Sequence, residues 1–229
     1  MNLVMLDIDG TLTQSYEYDQ EIFGLAIAEV LGCPPINADL IGYVDKTSTG
    51  VTREAIRHVT GKSPKVEQIE EVKRNVLWHL EKMYRESPEI FVEVPGAERF
   101  LERIQSLDDA GVAIATGCWR TEALFKLRAS GLSVAGIPMA TSDDDRNRTR
   151  IMQIATERAR DFYACLGFER VVYLGDGPWD LQEARSLGFR FIGIGPRVQV
   201  LKDTLTSSWY PDFMELEAVL ASVAAELRS

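Results

Sequence analysis

Short apolar runs that alternate with helical segments are the feature of this sequence that most constrains its fold. Four such runs, made mostly of apolar and small residues, lie at positions 112–116, 136–141, 171–175 and 189–194. The segments between them carry apolar residues at helical spacing. Strands and helices in this alternation are typical of a parallel sheet with helices on both faces. The sequence therefore predicts an α/β fold.

A long helical stretch separates the first strand from the second. The run LVMLDID, residues 3–9, is typical of a buried strand, but the next strand begins only near residue 112. A crossover between parallel strands needs about a dozen residues, and the intervening chain is far longer. Most of that chain has apolar residues at helical spacing. We expect residues 14–88 to form a helical cap inserted after the first strand, on a core made of residues 1–13 and 89–229.

The charge balance and the cysteines exclude several classes of protein. With a formal net charge of −10, the 229-residue chain is not expected to present the basic surface that binds nucleic acid. No membrane span is expected, because no apolar run approaches the roughly 18 residues that a span requires. Three widely spaced cysteines without a C-x-x-C pair indicate neither a disulfide framework nor a zinc site. We expect a cytoplasmic protein, and the sequence leaves its oligomeric state open.

Acidic residues follow two of the predicted strands. Asp7 and Asp9 close the first apolar run, and Asp176 and Asp180 follow the run at 171–175. Ligands of open parallel sheets bind at the carboxyl ends of the strands, so these four side chains are expected to converge. Oxygen-only ligation suits Mg²⁺, with a substrate phosphate completing its shell. Each aspartate taken alone is more typical of a turn or a helix cap, but the four together favour a magnesium site.

A possible anion site follows the second strand. Thr116 and Gly117 precede a predicted helix over residues 120–130. A small hydroxyl and free backbone N–H groups at a helix N-terminus form a cradle for an anion, although Thr is also an ordinary helix cap. A cysteine phosphatase loop needs an arginine six residues after its cysteine, and position 124 is leucine. Cys118 is therefore interpreted as a small residue whose backbone N–H helps to bind phosphate.

These motifs, taken in order, resemble those of the haloacid dehalogenase-like (HAD) hydrolase superfamily. The matching stretches are DIDGTLT, ATG, a basic residue before a helix, and GDGPWD, each at a predicted strand end. The resemblance covers nearly the whole chain and implies a Rossmann-like core. The insertion after the first motif resembles the helical cap of phosphoglycolate phosphatase-like and β-phosphoglucomutase-like members.

The resemblance implies a role for each acidic motif residue. Asp7 is expected to be the nucleophile that forms an aspartyl-phosphate. Asp9 is expected to be the acid/base, which protonates the leaving oxygen and then activates water. The carboxylates of Asp7 and Asp176, with the backbone carbonyl of Asp9, are expected to hold Mg²⁺. Asp180 is expected beside these ligands, or in contact with the metal through water.

The basic residue of the third motif has three candidates, Arg146, Arg148 and Arg150. The apolar face of the following helix favours Thr149 as the N-cap and Arg150 as the first helical residue. A cation in the first turn opposes the helix dipole, so an anion nearby is expected to offset it. The family usually has lysine here. We predict that Arg150 is the third-motif residue, with surface pairing to the preceding aspartates as the alternative.

Substrate contacts are expected from both the core and the cap. The resemblance implies that Thr116 and the Gly117 amide bind the phosphoryl oxygens. In the cap, the polar stretch DKTSTG at residues 45–50 occupies the place where related caps present substrate-selecting residues. Lys46 and Thr47 are therefore candidates for substrate binding, with an ordinary solvated turn as the alternative.

The resulting hypothesis is a Mg²⁺-dependent phosphatase that acts on a small phosphorylated metabolite. A phosphomutase would share every catalytic residue and differ only in the acceptor of the phosphoryl group. A receiver-like phosphoacceptor or binding module also gathers aspartates around Mg²⁺, but it needs no cap. A dehalogenase is disfavoured, because such relatives lack the second aspartate of the first motif and need no metal.

Overall fold

A parallel sheet forms the centre of the protein, as seen in a computed structural model that describes residues 1–38, 42–197 and 208–228. Its strands are β1 (Asn2–Leu6), β2 (Ala110–Ala115), β3 (Met139–Ala140), β4 (Val171–Gly175), β5 (Arg190–Ile194) and β6 (Trp209–Tyr210). They lie in the order β3-β2-β1-β4-β5-β6, and every neighbouring pair is parallel. The predicted α/β fold is confirmed. The strand order reverses at β1 and β4, which is where open α/β sheets bind their ligands.

Helices cover both faces of this sheet, because alternate strand residues point to opposite sides. The covering helices are α4 (Ala97–Gln105), α5 (Arg120–Ala129), α6 (Arg148–Phe162), α7 (Pro178–Ser186) and α8 (Leu216–Arg228). Leu3 and Met5 pack with α6 and α7, whereas Val4 and Leu6 pack with α4, α5 and α8. In the described part of the chain, no helix has the length and apolar character that a bilayer crossing would need.

Helices also fill the long connection between β1 and α4, as predicted. They are α1 (Tyr16–Leu31), α2 (Ser48–Thr60) and α3 (Val66–Glu86), followed by a 3₁₀ turn at Pro88–Ile90. Val72, Val76 and Leu80 recur every four residues on α3 and are buried. They belong to a third hydrophobic cluster, which also contains Trp119 and Phe125 of the core. We keep the name cap for residues 14–88, whose boundaries remain a prediction.

The two chain segments that join the cap to the core run side by side. The amide of Val94 donates to the carbonyl of Leu12 (2.8 Å), and the amide of Gln14 donates to the carbonyl of Val92 (3.0 Å). Between these bonds, Thr13 and Glu93 form an antiparallel bridge. The chain therefore leaves the core and returns to it at one paired hinge.

Candidate active site

Three buried carboxylates converge where β1 and β4 end. Asp7 is the first residue after β1, and its amide donates to the carbonyl of Leu174 in β4 (3.0 Å). Asp176 follows β4, and Asp180 lies in the first turn of α7. Carboxylate oxygens of Asp7, Asp176 and Asp180 all lie within 4.8 Å of one another. The topology thus brings together three of the four acidic residues that the sequence singled out.

The electrostatics of this cluster favour a bound cation. Burial raises the pKa of Asp7 well above its usual range, and Asp180 and Asp176 raise it further while Arg148 opposes them. Burial likewise raises the pKa of Asp176 to about 7, against the effect of Arg197. Asp7 Oδ1 and Asp176 Oδ1 are buried and accept no hydrogen bond from the residues that the structure describes. Carboxylate oxygens that accept no hydrogen bond in this arrangement fit a metal ion that takes oxygen ligands.

Gly10 makes the close approach of the two loops possible. Its φ of +80° lies in the left-handed region, and the chain turns there directly after Asp9. The carbonyl of Ile8 accepts hydrogen bonds from the amides of residues 11–13, at 2.7–3.1 Å. A Cβ atom on Gly10 would lie 1.8 Å from Asp176 Oδ2. The glycine therefore serves both the turn and the packing of the β1 loop against the β4 loop.

Arg148, rather than Arg150, is the basic residue of the third motif that reaches the site. Helix α6 begins at Arg148, and the side chain of Asn147 caps it by accepting from the Arg150 amide (3.1 Å). Arg148 is buried, with Nη1 2.6 Å from Asp180 Oδ1 and 3.5 Å from Asp7 Oδ1.

The prediction for Arg150 is therefore wrong in position by two residues. Its side chain is half exposed and pairs with Glu157 on the same helix (3.1 Å). Thr149 is not the N-cap, because the helix starts one residue before it. Arg148 lies three and four residues before the buried Ile151 and Met152, on the inward face of the helix. Arg150 points away from that face.

The loop after β2 lies directly beside the cap. Thr116 is buried, and its hydroxyl accepts from the Cys118 amide (3.2 Å), so that amide already has a partner. The carbonyl of Gly117 accepts from the Ser48 amide of the cap (2.8 Å). A Cβ atom on Gly117 would lie 2.8 Å from both Arg148 Nη2 and the Lys46 carbonyl oxygen. Glycine is needed here because the core, the cap and Arg148 meet at this point.

The two cap candidates also lie at this junction. Lys46 and Thr47 line a cavity of about 60 Å³ between cap and core, together with Asp9, Gly117 and Arg148. The ammonium of Lys46 donates to the carbonyl of Tyr43. The hydroxyl of Thr47 donates to the carbonyl of Arg146 (2.7 Å) and accepts from the Gly50 amide (3.1 Å), which caps α2. Thr47 therefore ties the start of α2 to the core chain just before α6.

Asp9 lies outside the three-carboxylate cluster and accepts a hydrogen bond from a buried lysine that sequence reasoning missed. Lys126 of α5 donates to Asp9 Oδ1 (3.0 Å), and Ser15 and Cys118 donate to the same carboxylate. Although burial opposes it, Lys126, followed by the Cys118 and Ser15 hydrogen bonds, lowers the pKa of Asp9 to about 2. The pair Glu122–Lys126 has the i,i+4 spacing of an ordinary surface ion pair, so no sequence signal marked this lysine as buried.

Arg197 is a second cation that the sequence did not point to. It follows β5, and its guanidinium donates twice to Asp176 Oδ2, once from Nε at 2.8 Å. The same group lies over the ring of Tyr16, the first residue of α1, with 3.2 Å between Cζ and the ring centroid. Arg197 therefore joins the carboxylate cluster to the start of the cap.

Comparison with protein families identifies the chain. A family model described as haloacid dehalogenase-like hydrolase matches residues 1–188. The chain belongs to this family. The resemblance seen in the motifs is thereby confirmed, and the chain is a hydrolase of the HAD type. Comparison with curated proteins finds no significant match.

Solved HAD structures share the fold over the whole chain. A hydrolase from Pseudomonas syringae is 21% identical to this chain in sequence, with a TM-score of 0.72. The alignment covers 96% of this chain and 98% of that protein. CbbY from Rhodobacter sphaeroides, in complex with phosphate, is 18% identical with a TM-score of 0.69, covering 94% and 96%. A candidate β-phosphoglucomutase from Bacteroides vulgatus is 17% identical with a TM-score of 0.67, covering 100% and 91%. The similarity to these proteins is one of fold.

Replacing Gly10 by alanine is expected to disturb the carboxylate cluster of this HAD protein. Gly131 is a matched control, because it has the same φ of +80° and no atom lies within 4 Å of a Cβ built on it. Left-handed backbone alone costs a non-glycine residue about 1–2 kcal/mol, so Gly131→Ala should lower the free energy of unfolding by that amount. Gly10→Ala should lower it further, because its Cβ collides with Asp176. Urea unfolding measures both variants, and equal losses would contradict the predicted collision.

Proposed function

We propose that this HAD-like hydrolase is a phosphatase that hydrolyses a small phosphorylated metabolite, with Mg²⁺ as its cofactor. The observation that carries the proposal is the buried cluster of Asp7, Asp176 and Asp180 beside Arg148. Its carboxylate oxygens that accept no hydrogen bond suit a hard divalent cation, and the arginine suits a phosphate. Asp7 and Asp176 would hold Mg²⁺ with the Asp9 carbonyl, and Asp180 would orient Arg148. When bound, Mg²⁺ neutralises phosphoryl charge and orients the phosphate.

The chemistry requires a nucleophile and an acid/base. Asp7 attacks phosphorus, the bond to the leaving oxygen breaks, and Asp9 gives that oxygen a proton. Water then attacks the aspartyl-phosphate, Asp9 takes the proton from water, and the bond to Asp7 breaks to release phosphate. Asp9 is ionised in the arrangement described. The negative charge of a bound phosphate raises the pKa of a neighbouring carboxyl, which favours the protonated form needed first.

Electrostatics explain why the cations around the site are needed. A carboxylate and a phosphate charge about 4 Å apart repel by about 4 kcal/mol at an effective dielectric of about 20. Arg148 is within reach of Asp7 and faces the cavity, so it can bind the phosphoryl oxygens as the carboxylate approaches. The Gly117 amide and the Thr116 hydroxyl lie in the neighbouring loop and are proposed to complete this anion site. A local positive field of this kind overcomes the net charge of −10.

The structural neighbours support a phosphorylated small molecule as the substrate class. CbbY from Rhodobacter sphaeroides has been crystallised with phosphate and, as a mutant, with xylulose-(1,5)bisphosphate. The likeness to a candidate β-phosphoglucomutase keeps phosphomutase as a second candidate. The two functions differ in the acceptor, which is water in a phosphatase and a second hydroxyl in a mutase.

Hydrolysis of p-nitrophenyl phosphate should require both Mg²⁺ and Asp7. Asp7→Asn removes the nucleophilic oxygen while keeping the size of the side chain, so activity should be abolished. Excess chelator should abolish it as well, and added Mg²⁺ should restore it. Release of inorganic phosphate from a panel of phosphorylated metabolites then separates phosphatase from mutase. Full activity in chelator, or in the Asp7→Asn protein, would contradict the proposal.

Arg148 and Arg150 provide a matched pair of variants on one helix. Arg148→Ala should lower kcat/KM by roughly 10²–10³-fold, as the loss of a donor to developing negative charge does in other enzymes. Arg150→Ala should change kcat/KM by less than about twofold, because a half-exposed pair with Glu157 contributes little. Circular dichroism confirms that each variant is folded. Similar losses in the two variants would show that Arg148 does not contact the phosphoryl group.

Arg197 should compete with Mg²⁺ for Asp176. Arg197→Ala is expected to tighten Mg²⁺ binding roughly tenfold, because a hydrogen bond to a charged group is worth about 1.5–3 kcal/mol. Arg190→Ala removes the same charge from β5, where Arg190 pairs with Glu226, and should change the affinity little. Isothermal titration calorimetry without substrate measures the affinities. Equal affinities in the two variants would mean that Arg197 does not have to move when the metal binds.

A further inference from the structure

Lys126 is a charged side chain buried completely in the interior. The exposed fraction of its side chain is 0%, which is rare for a lysine unless its charge is paired. Its ammonium lies 3.0 Å from Asp9 Oδ1, 2.7 Å from Glu122 Oε1 and 2.5 Å from Asp19 Oδ2. An ammonium has three N–H donors, and here three carboxylates accept from it, with the Cys118 sulfur as a longer contact at 3.6 Å. These contacts surround the ammonium with acceptors and hold it in place.

The three carboxylates come from different parts of the molecule. Asp9 belongs to the loop after β1, Glu122 to α5 of the core, and Asp19 to α1 of the cap. Asp9, Cys118 and Glu122 have the spacing of a metal site, but the Lys126 ammonium donates to all three of these side chains. The cation of this second cluster is therefore supplied by the chain itself.

The contacts leave the Asp9 carboxylate little freedom to rotate. Oδ1 accepts from Lys126 and from the Ser15 hydroxyl, and Oδ2 accepts from the Cys118 thiol. Asp9 lines the cavity between cap and core, whereas Lys126 does not. Lys126 can therefore act on a bound substrate only through the groups that it holds.

We propose that Lys126 is a positioning residue for the phosphatase reaction, which holds Asp9 at the wall of the cavity between cap and core. This inference rests on the proposed function, in which Asp9 is the acid/base. An acid/base must lie within hydrogen-bonding reach of the proton that it transfers.

A double-mutant cycle with p-nitrophenyl phosphate as substrate tests this proposal. Lys126→Met should lower kcat by roughly 10–10²-fold, the effect of a small displacement of a catalytic group. KM should change by less than about threefold, because Lys126 does not line the cavity. In the Asp9→Asn background, Lys126→Met should lower kcat by less than about twofold, because a residue that acts through Asp9 has nothing left to position. An equal loss in both backgrounds would overturn the proposal and leave Lys126 with a purely structural role.

Two further variants keep the test decisive. Lys126→Met leaves three carboxylates without their cation, so Lys126→Arg serves if that protein does not fold. The arginine keeps the charge, but its planar group cannot reach the same three acceptors, and its loss of kcat should also vanish in the Asp9→Asn background. Arg128→Met is the matched control, because Arg128 is an exposed cation on the same helix. It should leave kcat unchanged in both backgrounds.

The cycle also separates this inference from the proposed function. If Asp9→Asn alone keeps wild-type kcat, the acid/base role of Asp9 is wrong, and the role of Lys126 is wrong with it. If Asp9→Asn is slow but the Lys126 loss is additive, only the positioning role is wrong.

Discussion

The concentration of buried negative charge at the ends of β1 and β4 is the constraint on which the rest of this structure depends. Burying carboxylates is expensive unless each has a cation or a full set of hydrogen bonds. The protein divides them into three groups, each with its own cation. Arg148 faces Asp7 and Asp180, Lys126 faces Asp9, Asp19 and Glu122, and Arg197 faces Asp176. The site is therefore rich in acidic residues, but each group of carboxylates is paired with a cation.

This pairing also ties the helices to the sheet. Arg148 begins α6, Lys126 lies within α5, and Arg197 follows β5, so each cation is carried by a different element. Shifting α5 or α6 by one turn would separate a cation from its carboxylates, and breaking a buried pair in this way costs about 3–5 kcal/mol. The positions of these helices are thus set by charge as well as by the apolar packing beneath them. Arg197 and Lys126 also contact the cap, through Tyr16 and Asp19.

Local patterns in the sequence predict most of the fold and much less of the charge pairing. The alternation of apolar runs predicts β2 to β5 and their helices, but β6 has only two residues and leaves no pattern. Asn147 and Thr149 are both good caps, so local preference could not decide whether Arg148 or Arg150 faces inward. Lys126 meets Asp9 and Asp19 across 117 and 107 residues of chain, a distance over which no local rule operates. The convergence of Asp7 and Asp176 could be predicted because both follow strands, and strand ends are positions that a sequence does mark.

The paired hinge means that the cap separates two parts of the core along the sequence, although those two parts remain neighbours in the fold. Leu12 and Val94 are hydrogen-bonded neighbours, so the core strands keep the same partners whatever chain is inserted between them. An insertion at this point adds little strain, since the entropy of closing a loop grows only slowly with its length. The core can thus carry inserted segments of different length without a change in its own strands. Lengthening, shortening or exchanging the segment beyond Thr13 would change the cap side of the cavity, while Asp7 and Asp176 stay where β1 and β4 place them.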